Sequence, residues 1–188
     1  MIGRTIDELA VGDAAELSRR VEPEAIAEFV EAVGDRNPLH SDPGYAATTP
    51  FGEPIAPGIF TAGLISAVIG TRLPGPGAVY LSQTLKFLKP VRLGDTITAR
   101  VEVVEVARER NRVRLTTVCR NQRGEEVVTG EAWVMPSRTP VRYAPTPAPA
   151  ATPGLWALGP WGWAAQALSF WSDVSLRLLQ AVTSAARR

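Results

Sequence analysis

Asp35 and His40 lie five positions apart in the run Gly34-Asp35-Arg36-Asn37-Pro38-Leu39-His40-Ser41-Asp42. A neutral imidazole accepts a proton near pH 7, and a carboxylate either does the same or fixes the imidazole's tautomer, so such a pair can orient and deprotonate a water. On an α-helix the two would point about 140° apart, and Pro38 pushes Asn37 out of the helical region. They must therefore meet from a loop, which Asn37 shapes through side-chain hydrogen bonds to the backbone. The plainer alternative makes Asp35 a turn cap and His40 a surface residue. A Ser-His-Asp hydrolase is disfavoured because no G-x-S-x-G elbow occurs. His40 is the single histidine and Cys119 the single cysteine, so no protein-bound metal is expected.

The elements that must hold this loop follow from local patterns. Pro23 suits a first helical position, Ile26, Phe29, Val30 and Val33 recur on one face, and Gly34 supplies the stop. After the loop, Asp42-Pro43 reads as an N-cap and first residue of a short helix through Ala47. Gly58 to Leu73 is apolar or small all the way round before Arg72, which predicts a helix buried on every side. Period-two alternation then predicts strands around 79–87, 97–103, 113–119 and 126–135. In the first of these Val79, Leu81, Gln83, Leu85 and Phe87 share the buried face. Turns are expected at Glu109-Arg110-Asn111 and Asn121-Gln122-Arg123-Gly124. The resulting class is α+β: an antiparallel sheet wrapped round one central buried helix.

Composition narrows the function further. The chain of 188 residues has a net charge of +1 and no basic run longer than two residues, a poor basis for nucleic-acid binding. One cysteine excludes an intrachain disulfide and fits a reducing compartment. Arg4, Asp7 and Glu8 stand where a signal peptide needs its apolar region, and no apolar stretch reaches the ~18 residues of a membrane span. A cytoplasmic protein is expected. Three segments are expected: a folded body over 1–142, a Pro/Ala-rich linker over 143–160, and an amphipathic helical tail over 161–188. In the tail, Trp161, Trp163, Phe170 and Trp171 could anchor to a partner or a hydrophobic surface, or the apolar stripe could cover the body itself.

The loop from Gly34 to Asp42 resembles the signature of the MaoC-like, (R)-specific enoyl-CoA hydratases, which have the hot-dog fold. The likeness continues through Ala46-Ala47-Thr48-Thr49, Pro57-Gly58-Ile59-Phe60, Leu73-Pro74-Gly75, Tyr80-Leu81-Ser82-Gln83, Phe87-Leu88-Lys89-Pro90-Val91, Gly94-Asp95 and Thr129-Gly130-Glu131-Ala132. It covers roughly residues 8 to 136. The resemblance implies that Asp35 and His40 are the catalytic pair that adds water to a trans-2-enoyl thioester, giving the (R)-3-hydroxyacyl product. It places the Gly58 N–H on the thioester carbonyl and Ser66 beside it as a supporting hydrogen-bond partner. It also implies no cofactor beyond the coenzyme A of the substrate, a homodimer joined sheet edge to sheet edge, and supply of polyhydroxyalkanoate monomers. Phasin-like helices coat such polymer granules, which makes granule attachment one expectation for the tail.

Lys86, Lys89, Arg92 and Arg72 are the cations that could meet the coenzyme's phosphates. Pro57 departs from the His often found before the family's helix and removes one backbone N–H. Two alternatives stand: a 3-hydroxyacyl-thioester dehydratase of fatty-acid synthesis acting on a carrier protein, and an idle hot-dog that binds or scaffolds through its tail. Hot-dog thioesterases lack this loop.

Overall fold

In the computed structural model, which describes residues 1–144, a five-stranded antiparallel sheet in the order β2-β4-β5-β6-β3 curls over one long helix. The strands are β2 (Ala14–Arg20), β3 (Val79–Phe87), β4 (Thr96–Ala107), β5 (Arg112–Arg120) and β6 (Glu126–Met135). Two short strands, β1 (Ile2–Gly3) and β7 (Val141–Arg142), pair with each other and tie the two ends of the described segment together. The helices are α1 (Pro23–Val33), α2 (Pro43–Ala47) and α3 (Gly58–Thr71). The linker and the tail expected over 143–160 and 161–188 lie outside the described residues from position 145 onward.

The sheet's inner face is built by alternation. Ile97, Ala99, Val101 and Val103 of β4 and Val113, Leu115, Thr117 and Cys119 of β5 are fully buried, while their neighbours face outward. Against this face α3 sets Phe60, Leu64, Ile65, Val68 and Ile69. Full burial of such side chains contributes about 1.5–3 kcal/mol each. The Phe29 ring of α1 meets Phe60 edge-on, with centroids 5.6 Å apart.

Three sequence expectations are corrected. The helix α3 is not buried all round: Ile59, Gly63, Ser66 and Gly70 form an exposed side, because the sheet covers only one face of it. In β3, Val79, Leu81 and Phe87 are exposed. This strand is a sheet edge, and a bulge between Tyr80 and Ser82 changes the parity, so Tyr80, Gln83 and Leu85 take the inward positions. Val33, expected on the buried face of α1, is exposed at the last turn. A further strand, β2, was not signalled by the sequence and forms the other edge.

Backbone proximity also fixes residue types. A Cβ at Gly130 would lie 1.8 Å from the carbonyl oxygen of Thr84, so only glycine lets β6 approach β3 here. Beside it, Gln83 donates to the buried Thr117 hydroxyl at 2.9 Å and Tyr80 donates to Gln83, which satisfies a polar group in the inner layer.

Candidate active site

The loop carrying Asp35 and His40 starts where α1 stops. Gly34 takes the left-handed conformation at φ 72°, and the Asp35 N–H returns to the Val30 carbonyl at 2.8 Å. The chain then reverses round Asn37, whose N–H donates to Asp35 Oδ1 at 2.9 Å and whose Oδ1 accepts from the Leu39 N–H at 3.1 Å. Pro38–His40 forms one 3₁₀ turn, which swings the imidazole back toward Asp35. Asp42 accepts from the Tyr45 N–H at 3.0 Å and opens α2, the cap and helix expected there.

The result is a close approach of the two candidate groups. His40 Nε2 lies 3.8 Å from Asp35 Oδ2, with the imidazole side chain 10% exposed and the carboxylate 32%. His40 Nδ1 is 2.7 Å from the Ile55 carbonyl oxygen. A carbonyl only accepts, so Nδ1 carries the hydrogen and Nε2 of the neutral ring presents a lone pair toward the carboxylate. Asn37 Nδ2 stands 3.5 Å from the same Nε2. The Ile55 segment is itself fastened, by its N–H to the Leu39 carbonyl and by the Ala56 N–H to the Val91 carbonyl at 2.8 Å.

From Ile55 the chain runs through Pro57 into α3. An apolar cleft of about 430 Å³ opens at this helix start, with Ile55, Gly58, Ile59, Phe87, Leu88 and Val128 among its walls. The first N–H groups of any helix lack intrahelical acceptors, and here that end of α3 faces the cleft. A Cβ on Gly58 would come 2.6 Å from the Phe87 ring, so the backbone and the aromatic edge are in direct contact. Thr61, one turn on, also borders the cleft. Its buried hydroxyl has no partner among the described residues.

Of the residues singled out from sequence, Asp35, Asn37 and His40 are brought together, and Gly58 stands at the cleft that begins beside His40's Ile55 anchor. Ser66 is not brought in: it sits on the exposed side of α3, and whereas Asp35, Asn37 and His40, also outside the cleft's lining, join it through the Ile55 carbonyl, Ser66 has no such link among the described residues. Three of the four cations expected for phosphates are engaged within the chain. Lys89 bonds Glu125 at 2.6 Å, Arg92 bonds Glu53, and Arg72 donates to the Glu16 carbonyl. Two partners carried no signal in the sequence. The Ile55 carbonyl is main chain, and Phe87 read as an ordinary strand residue. Among the described residues no group of three or more His, Cys, Asp or Glu is placed to hold a metal ion, and no helix is long and apolar enough to cross a membrane.

Comparisons with known proteins point to one family. The family described as "MaoC like domain" matches residues 10–123. A 3-hydroxybutyryl-CoA dehydratase of Methylorubrum extorquens is 53% identical over 129 residues, covering 68% of this chain and 81% of that protein. An (R)-specific enoyl-CoA hydratase of Rhodospirillum rubrum is 45% identical, covering 69% of this chain and 89% of its own length. Among solved structures, the unliganded R-hydratase PhaJ1 from Pseudomonas aeruginosa superimposes with a TM-score of 0.74 at 42% identity, covering 81% of this chain and 98% of that one.

Proposed function

The chain belongs to the MaoC-like domain family, and we infer that it is a hydro-lyase, an (R)-specific enoyl-CoA hydratase that adds water to a trans-2-enoyl thioester. The observation that carries this reading is the imidazole held as the Nδ1–H tautomer by the Ile55 carbonyl, with Nε2 facing the Asp35 carboxylate across 3.8 Å. That gap is too long for a direct hydrogen bond and suits a water that donates one hydrogen to each acceptor. The water oxygen bonds to C3, and one of its protons passes to the pair. The C2–C3 π electrons move onto the thioester oxygen, and when they return C2 takes from the pair the proton that the water gave up, so that H and OH have been added across the double bond and the pair is restored.

Negative charge grows on the thioester oxygen during the first step. The helix start at Gly58 supplies a backbone N–H and the positive end of the α3 dipole at that place. The acyl chain lies against Ile55, Ile59, Phe87 and Val128 in the apolar cleft. Proton transfer and a fixed dipole suffice for this chemistry, so the reading calls for no cofactor beyond the coenzyme A in the substrate.

A pair of copies is part of the same reading. It is supported by the apolar edge strand β3 and by the uncovered side of α3. The single, buried Cys119 supports a cytoplasmic location. The Trp-rich pattern of residues 161–188 supports attachment to a partner or a hydrophobic surface such as a polymer granule. A chain lacking 144–188 that distributes as the full chain does would end that part.

The test of the reaction is loss of enoyl absorbance from crotonyl-CoA, coupled to an (R)-specific 3-hydroxyacyl-CoA dehydrogenase. Fast turnover by the full chain and its loss in His40→Gln, with the fold intact, is the expected result. A full chain inactive on crotonyl-CoA and on longer enoyl-CoA thioesters would overturn the reading.

A further inference from the structure

A second hollow, of about 680 Å³, opens at the other end of the sheet, where β4 turns into β5. Its size is that of a small-molecule site. Trp133, Ser82, Arg108, Arg110 and Arg112 are among the residues that line it. Trp133 sits between the buried, inward-facing Ala132 and Val134, so its ring belongs to the outer face. Val128, which borders the cleft at Gly58, is five residues away on the same strand and inward. The two cavities are thus on opposite faces and roughly 17 Å apart along β6.

Several features show a shaped concavity with unbalanced charge. Bulges between Tyr80 and Ser82 in β3 and between Val103 and Glu105 in β4 flank this end of the sheet, and bulges bend strands and redirect side chains. The turn bearing the arginines is pinned: Asn111 takes the left-handed conformation at φ 50°, is buried, and donates from Nδ2 to the Pro136 carbonyl at 2.9 Å. Of the two carboxylates in the lining, Glu105 is already bonded by Arg114 at 3.0 Å, which leaves Glu109. Among the described residues Arg110 and Arg112 meet no carboxylate, whereas three of the four cations discussed above are engaged. Arg110 on the turn and Arg112 at the start of β5 both line the hollow, while Arg108 donates to the Leu9 carbonyl, and like charges brought to one cavity favour an anion there.

Guanidinium forks match phosphate oxygens in pairs, and an indole offers a flat apolar surface on which a base stacks. We propose that this hollow binds a phosphorylated nucleotide, with its phosphates at Arg110 and Arg112 and its base against Trp133. The chemistry is shared by two sources: a free nucleotide, or the nucleotide end of a coenzyme A thioester reaching from a neighbouring copy. Only the second source rests on the hydratase reading.

The probe is adenosine 3′,5′-bisphosphate, titrated calorimetrically into the full chain, with inorganic pyrophosphate as a probe that lacks the base. Saturable binding by the wild type is expected, weakened at least about tenfold in R110A/R112A and weakened by added salt. Both arginines are exposed, so that variant keeps the fold. The bisphosphate should bind more tightly than pyrophosphate in the wild type, and this preference should disappear in Trp133→Leu. No binding by the wild type, or equal binding by R110A/R112A, overturns the proposal.

The source is read from KM. An increase in R110A/R112A for crotonyl-CoA, without one for the crotonyl thioester of N-acetylcysteamine, assigns the coenzyme. Unchanged KM for both, with bisphosphate binding lost, assigns a free nucleotide. Absence of hydratase activity would count against the proposed function and leave the calorimetric result standing.

Discussion

Replacing Gly58 by alanine tests the carbonyl site with a single methyl group. The added Cβ would stand 2.6, 2.9 and 3.1 Å from three atoms of the Phe87 ring, against the 3.5–4.0 Å at which carbon atoms pack. Ring or helix start must therefore give way by about 1 Å. Phe87 is 51% exposed and has room to move, so folding should survive, and alanine's better helix propensity offsets part of the strain. Catalysis should suffer more. A displacement of about 1 Å costs on the order of 10²-fold in rate, comparable with loss of one oxyanion donor. The assay is kcat/KM on crotonyl-CoA beside a thermal melt. Gly58→Ala should lose roughly 10²-fold with little change in Tm. Combining it with Phe87→Leu, which removes the ring that the methyl meets, should restore much of the rate. Wild-type turnover in Gly58→Ala, or a double variant no better than the single, would refute the placement of the thioester oxygen at this helix start.

Asp35→Asn keeps an oxygen that can accept from the Asn37 N–H, so the loop should hold while kcat falls by about 10²–10⁴, read by the same absorbance assay and a melt. Gly130→Ala should fail structurally, since its Cβ meets backbone rather than a movable side chain. A cost of about 1–3 kcal/mol or more should appear as a lowered urea midpoint or lost soluble yield. Acid stability should register Glu125, whose carboxyl is held at about 2, below the ordinary 4.5, by hydrogen bonds from Asn121, Lys89 and Arg123. A depressed carboxyl stabilises the fold above its unfolded value, and that contribution fades as pH falls from 4.5 toward 2. The urea midpoints of wild type and Glu125→Gln should therefore differ at pH 6 and converge near pH 2.

Local chemistry made part of this structure readable in advance. Pro23, Gly34, Asp42 and Pro43 each carry a conformational preference that acts within a turn, and the elements they bound fall where those preferences put them. The loop that brings Asp35 to His40 was readable for the same reason. The strand β2, Ala-Ala-Glu-Leu-Ser-Arg-Arg, holds no β-branched residue and lies at an edge, so neither composition nor alternation marked it. Val79 and Leu81 misled because a bulge shifts parity by one, and a bulge has no reliable residue signature. Lys89 and Arg92 looked available because the carboxylates that engage them, Glu125 and Glu53, lie 36 and 39 positions away. The exposed side of α3 was hidden because an all-apolar helix does not say which part of its surface its own sheet will cover.

The Ile55 carbonyl that fixes the His40 proton has an evolutionary corollary. Where a side-chain carboxylate orients an imidazole, one codon change abolishes the orientation. A main-chain oxygen is present whatever residue occupies position 55. Drift at that codon therefore alters packing without resetting the tautomer. The Val91 carbonyl that receives the Ala56 N–H is protected in the same way, so the vulnerable features become the buried side chains that hold the segment in place. Inactivating lesions remote from Asp35 and His40 should accordingly fall on buried side chains that pack this segment, such as Val91, rather than on any one hydrogen-bonding group.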